Sequence, residues 1–210
     1  MTDRRRAILT GAARVIARRG VRGLRVADLA AEAGVSTALV YYHFKDRPGI
    51  LRHALAFIGD RADRYTGAGE DGHGTGGGTG ERDGTGDGEA PRPSDPRRLL
   101  ERTLLLEFQD LPEVRENSTA WGELRAHSVF DPELRDELAS AGAAWVAEVA
   151  GHLAEVCPAA PDGAVTAAAE RLTALLEGLS VRWLSGLLPL EHARGLLRES
   201  IAVEVGRLGL

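Results

Sequence analysis

Between Ser36 and Arg47 the chain sets out side chains whose chemistry suits the edge of a DNA duplex. Hydroxyls stand at Ser36, Thr37, Tyr41 and Tyr42, a bare methyl at Ala38, an imidazole at His43, and cations at Lys45 and Arg47. At helical spacing Thr37, Ala38, Tyr42 and His43 share one exposed face, while Val40 turns to the opposite side. Hydroxyls and small side chains can approach base edges in a major groove, whereas cations and ring donors hold phosphates. Thr37, Ala38 and Tyr42 are therefore candidates for base or groove-floor contacts. Arg25, Tyr41, His43, Lys45 and Arg47 are candidates for positioning the duplex through its phosphates, with Ser36 opening the helix that carries the set.

Two short helices must position that face. Val26 to Ala33 reads as a helix, Gly34 as its stop, and a second helix opens at Ser36. Ala30, Gly34 and Val40 stand where two steeply crossed helices need a small residue at the close approach, a residue tolerant of positive φ at the turn, and an apolar anchor. Leu29, Val35 and Val40 form the expected buried wedge.

The stretch resembles the head of the tetracycline-repressor-like (TetR) family of bacterial regulators. The likeness runs over about residues 7 to 55, through ILTGAARVIARRG, VADLAAEAGVS and VYYHFKDRPGIL, with Gly20 ending the first helix, Gly34 in the turn, and Tyr41 and Phe44 closing the recognition helix. Two positions depart from the family pattern. Arg25 stands where a Thr usually caps the second helix, so the cap must come from elsewhere, and the Arg25 side chain is free to reach a phosphate. Leu39 stands where the recognition helix usually has Thr, which trades a hydrogen bond for apolar surface. The resemblance implies a cytoplasmic, homodimeric repressor that binds double-stranded operator DNA and is released from it by a small-molecule effector. Effector binding in the body is then expected to shift the fourth helix and change the separation of the two recognition helices.

Charge divides the chain in the same place. Residues 1 to 53 carry 11 Lys and Arg against 4 Asp and Glu, although the whole chain is formally −5. A basic head on an acidic body is what a DNA-binding module joined to a non-DNA module presents. With 210 residues, 43% of them hydrophobic, the chain can bury a real core. It lacks an apolar run long enough for a membrane span and an apolar core after MTDRRR, so neither a membrane protein nor a secreted one is expected. The single Cys157 rules out an internal disulfide.

Helical periodicity covers nearly everything else. Arg4 to Arg19 reads as a first helix with Ile8, Ala12, Val15 and Ile16 inward, and Asp46 caps a fourth carrying Leu51, Leu55, Ile58, Ala62 and Tyr65. Eleven of residues 67 to 90 are Gly, with no large apolar side chain among them, so this segment is expected to be a disordered insertion, dispensable for folding. Asp95-Pro96 opens a helix ending near Leu111, Pro112 one to about Val129, Asp131-Pro132 one to Val156, Asp162 a longer one, and Pro189 the last. The expected fold is all-α with about nine helices. It divides into a helix-turn-helix domain at 1–47, a connecting helix at 48–66, the Gly-rich insertion at 67–94, and an effector-binding and dimerisation domain at 95–210.

Within the body, Phe108, Asn117, Trp121, Trp145, Glu148 and His152 fall on or beside inward stripes and form the candidate effector pocket. Aromatic walls with one carboxylate suit a partly apolar ligand and could hold a cation. The last two helices carry more apolar surface than one core needs, making Leu172, Leu175, Leu179, Leu184, Leu196 and Val203 the candidate dimer interface. The run LLEGLSVRWLSGLLPLEHARGLLRES is similar to the C-terminal pair of the choline-responsive repressors of the same family.

Glu123 with His127, and Glu148 with His152, are i,i+4 pairs that could each offer two metal ligands, but the Glu-x-x-His spacing of dinuclear helical sites is missing. Neither HExxH nor GxSxG occurs. No enzyme activity, metal or cofactor is expected. The alternative to an effector-responsive regulator is a DNA-bound dimeric scaffold with a sealed body.

Overall fold

The computed structural model describes residues 3–67 and 95–209 of the chain. Among them are nine α-helices and no strand: α1 (Asp3–Arg19), α2 (Val26–Ala33), α3 (Thr37–Phe44), α4 (Arg47–Gly67), α5 (Pro96–Leu105), α6 (Pro112–Ser128), α7 (Pro132–Val156), α8 (Asp162–Leu184) and α9 (Leu190–Leu208). The expected Gly-rich insertion, and the positions Ala62 and Tyr65 in the expected stripe of the fourth helix, fall outside the residues whose side chains are described.

Most helix starts follow from local chemistry. Asp46 Oδ1 accepts the Gly49 N–H at 2.7 Å ahead of α4, and Asp131 Oδ1 accepts the Leu134 N–H at 3.2 Å ahead of α7. Asp95 does the same for Arg97 at 3.1 Å. In each case a carboxylate satisfies an orphan donor of the first turn. A Pro is the first residue of α5 and of α7, where its missing N–H is harmless.

Two boundaries differ from the periodicity. The fifth helix stops at Leu105 rather than near Leu111: the chain turns there, with the Phe108 N–H bonded to the Leu105 carbonyl and Phe108 buried in the core, and Pro112 then holds Leu111 extended ahead of α6. A 3-10 turn, Val21–Gly23, separates α1 from α2. It follows Gly20, whose φ of 70° takes the chain out of α1.

The hydrophobic interior falls into two clusters. The head cluster gathers Ile8, Ala12, Val15 and Ile16 of α1, Leu29 of α2, Val40 and Phe44 of α3, and Ile50, Leu51, Leu55 and Ile58 of α4. Ala120 and Leu124 of α6 and Leu134 of α7 complete it, so the head borrows part of its core from the body. The body cluster is built on α5, α7, α8 and α9, with Leu100, Leu104, Phe108, Leu153, Leu172 and Leu197 at its centre. α6 therefore belongs to both layers, with one face in the head and its flank against α7 and α8.

Candidate nucleic-acid interface

α2 ends where Gly34 adopts φ 64° and ψ 37°, in the left-handed region, and its N–H bonds to the carbonyls of Ala30 and Ala31. Val35 follows with an N–H to Ala30 carbonyl bond of 2.9 Å, closing the helix end. Ser36 then caps α3, its Oγ accepting the Leu39 N–H at 3.2 Å. Val40, fully buried, and Phe44 fasten α3 to the head core, so the remaining faces of this two-turn helix must look outward.

On those faces stand the expected groups. Thr37 and Ala38 are exposed, Tyr41 is 49% exposed and Tyr42 is 80% exposed, the last being unusual for so large a ring. Leu39 is half-buried. His43 is also half-buried, its ring edge-on to Tyr42 at 5.2 Å between centroids. Lys45 is exposed and takes φ 61°, the positive-φ non-glycine position among the described residues, as the chain turns from α3 into α4. Arg25 is exposed at the start of α2, and its side chain makes no capping bond.

Arg47 does not belong to this face. Its guanidinium turns inward, with Nη2 donating to the Val21 carbonyl at 2.6 Å and Nε to the Leu24 carbonyl at 3.3 Å. The Val21 carbonyl already accepts the Leu24 N–H at 3.1 Å, and Arg47 at the start of α4 adds a second, charged donor to it and one to the Leu24 carbonyl. It braces the turn that leads into α2, with Nε and Nη2 committed to those carbonyls. Periodicity alone did not pick out Arg5, whose guanidinium lies 5.4 Å from the centre of the Phe44 ring at the end of α3.

The body candidates do not converge on one site. Phe108 is fully buried in the body core, 5.9 Å from Trp183 between ring centroids, and Trp145 packs on the same cluster. Trp121 packs instead on the head cluster. Asn117, 4% exposed, donates from Nδ2 to the Ile58 carbonyl of α4 at 3.2 Å, and its buried Oδ1 has no partner among the described residues. Glu148 is exposed and His152 half-buried on α7. Two shallow, open clefts of about 390 and 280 Å³ run between α1 and α2, and none of these six lines them.

Of the interface candidates, Leu172 and Leu179 are buried inside the protomer at 1% and 3% exposure, because α8 turns that stripe toward α7 and α9. Leu175, Leu184 and Leu196 are half-buried and Val203 is 52% exposed. Glu123 is taken up by the Val21 N–H at 3.2 Å, and His127 faces Asp131 at 3.8 Å, so this pair does not point at a shared metal position. Among the described residues there is no group of three or more potential metal-ligating side chains, and no helix is long and apolar enough to cross a membrane.

A Ser-capped helix presenting tyrosines and hydroxyls, set after a left-handed glycine turn on a helical body, defines a helix-turn-helix regulator. Residues 8–54 match the pattern described as bacterial regulatory proteins, tetR family, and residues 96–206 match the BetI-type transcriptional repressor C-terminal pattern. The chain belongs to the TetR family of transcriptional regulators. It is similar to a putative TetR-family regulator from Rhodococcus sp., at 44% identity and a TM-score of 0.79, over 98% of this chain and 100% of that one. A putative regulator from Saccharomonospora viridis, solved in complex with choline, is 27% identical with a TM-score of 0.73, over 94% of this chain and 95% of that one. FadR from Bacillus subtilis, solved with stearoyl-CoA, shares the fold at 17% identity and a TM-score of 0.69, over 98% of this chain and 99% of that one. No curated protein matches the chain.

Proposed function

We propose that this TetR-family regulator is a homodimeric repressor that reads its operator through α3 and leaves it when a small molecule enters the body. The observation that carries the DNA-reading half is the outward face of α3, where Thr37, Ala38, Tyr41 and Tyr42 stand exposed while Val40 and Phe44 hold the helix down. In this reading residues 1–47 read DNA, 48–66 connect, and 95–210 bind effector and pair the protomers, in the cytoplasm. Thr37, Ala38 and Tyr42 meet bases or the groove floor, and Arg25, Tyr41, His43 and Lys45 meet phosphates. A dimer is required because one recognition helix covers too few base pairs for useful selectivity.

The effector class rests on family membership and on the choline found with the 27%-identical relative. An aromatic ring offers a cation its face. In this chain the Trp183 face is already covered by the Arg115 guanidinium at 5.0 Å, which leaves Trp121 and Trp145 as the rings for a cationic or partly apolar ligand. The close packing of Phe108 and Asn117 favours the second reading, a dimeric scaffold with no effector.

Sequencing the genomic fragments that the purified protein retains tests the first half. Enrichment of a palindromic site supports it, and retention without sequence preference refutes it. Tryptophan fluorescence with quaternary amines, scored together with DNA release, tests the second half. To lower operator affinity 100-fold the ligand must favour the DNA-free form by about 2.7 kcal/mol. If a broad set of cationic and lipophilic compounds gives neither signal, the scaffold reading stands.

A further inference from the structure

The arginines along α1 divide into two groups by what holds them. On the part of α1 nearest the body, Arg14 lies 3.8 Å from both Glu32 and Glu116, Arg18 lies 2.5 Å from Glu32, and Arg19 lies 2.9 Å from Asp28. At the opposite end Arg4 and Arg6 are exposed, and among the described residues neither has an ion pair or a side-chain hydrogen bond. Asp3 shares their turn and offsets part of their charge.

The direction of α1 gives this division its meaning. Its C-terminal end is the one seated on the body, where the following Val21 donates to Glu123. A helix of this length spans about 25 Å. Its first turn is therefore carried well away from that contact, and the stacking of Arg5 over Phe44 at 5.4 Å fixes where it goes, beside the end of α3. The neutralised arginines lie toward the body and the unneutralised ones beside the recognition helix.

We propose that Arg4 and Arg6 extend the DNA interface of α3 as phosphate-binding residues, kept beside it by Arg5 on Phe44. This rests on α3 being the DNA-reading helix. An exposed, unpaired guanidinium keeps its full charge and its fork of donors for a phosphate. Arg14, Arg18 and Arg19 have already committed theirs to carboxylates. The positive potential of α1 is thus concentrated at the end that meets the duplex, and it acts without reading sequence.

The test compares the full-length protein with an Arg4→Gln/Arg6→Gln variant. Both are titrated from 50 to 200 mM salt on a retained genomic fragment and on an unrelated duplex. Arg5 is left in place so that its stacking on Phe44 survives, and melting temperature is followed in parallel. A dimer with two such ends loses four phosphate contacts, so the slope of log K against log salt becomes shallower by roughly 3 to 4, with affinity falling alike on both duplexes. An unchanged slope overturns the proposal, whether or not affinity drops. A change in the ratio of the two affinities also overturns it, because it would assign the arginines to base edges. Wild-type protein that shows no preference for the retained fragment removes the reading of α3 itself and the proposal with it. That result is seen before the variant is compared.

Discussion

Glu123 of α6 accepts a hydrogen bond at 3.2 Å from the backbone N–H of Val21, a residue 102 positions earlier in the chain. Arg47 holds the carbonyl of the same residue at 2.6 Å. The turn that enters the helix-turn-helix is thus gripped by a body carboxylate on its donor and by the first residue of α4 on its acceptor. Gly20 permits the close approach, since a Cβ there would lie 2.7 Å from Glu123 Oε2.

Replacing Glu123 by Ala should release the Val21 N–H without unfolding the head. The lost bond is partly solvated, so the expected effect is about 1 kcal/mol, or five- to tenfold faster exchange of the Val21 amide. Glu123→Gln keeps an acceptor and should restore most of the protection. Hydrogen exchange followed by NMR at Val21 decides it, and unchanged exchange in Glu123→Ala would show that the bond is not maintained in solution.

Arg47→Ala should behave as a stability variant and not as a DNA-contact variant. It removes the donor to the Leu24 carbonyl and the second, charged donor to the Val21 carbonyl, which keeps the Leu24 N–H; this should cost about 1–3 kcal/mol. Denaturant melts should shift, while the salt slope of DNA binding stays at its wild-type value. A shallower slope with an unchanged melt would return Arg47 to the phosphate interface.

Gly34 and Gly49 should respond to Ala for different reasons. Gly34 has open space around it but φ 64°, so Gly34→Ala carries only backbone strain, about 1–2 kcal/mol. At Gly49 a Cβ would lie 2.3 Å from the Phe44 carbonyl oxygen, a backbone atom that cannot step aside alone. Gly49→Ala should be the more damaging of the two by urea melts, and the reverse order would mean that the α3–α4 corner relaxes easily.

Acid should weaken the α8–α9 pair through Glu204. Its carboxylate is held below the usual carboxylate range, chiefly by hydrogen bonds from Arg171 at 2.9 and 2.5 Å, with partial burial opposing and the Arg171 and Arg207 charges adding. A depressed folded-state value means that the contribution is whole above the unfolded carboxylate pKa of about 4.3 and is lost as pH falls through the lower folded value. Glu204→Gln should therefore be less stable at pH 7 and show a flatter decline below about pH 5. Parallel acid limbs in urea midpoints for the two proteins would remove Glu204 from that account.

The α8–α9 hairpin should separate core from interface by substitution. Leu172→Ala, at 1% exposure, should cost about 2–5 kcal/mol of protomer stability. Val203→Asp, at 52% exposure, should leave the fold intact and weaken dimerisation by roughly tenfold or more, the cost of burying a carboxylate in an apolar contact. Sedimentation equilibrium checks the second. A full-strength Val203→Asp dimer would place the interface on another face.

Features set by neighbours a few residues away could be read from the chain alone. Gly34 and Ser36 define the turn and the start of α3, the Asp-Pro pairs at 95–96 and 131–132 open their helices, and the spacing of Val40 and Phe44 leaves Tyr42 outside. Each depends on a backbone angle, one local hydrogen bond or a helical repeat. The fates of Arg47, Trp121, Asn117 and Leu172 were not readable in that way. A cation near a recognition helix is equally suited to a phosphate or to a backbone carbonyl, and an aromatic ring to a pocket or to a core. Which occurs depends on groups that folding brings alongside. The Val21 carbonyl takes Arg47, α4 takes Asn117, the head core takes Trp121, and α7 and α9 enclose Leu172. Contacts between segments far apart in the chain decided each of them: the packing of α6 on the head for Trp121 and Asn117, the α4–turn contact for Arg47, and the α7–α8–α9 packing for Leu172.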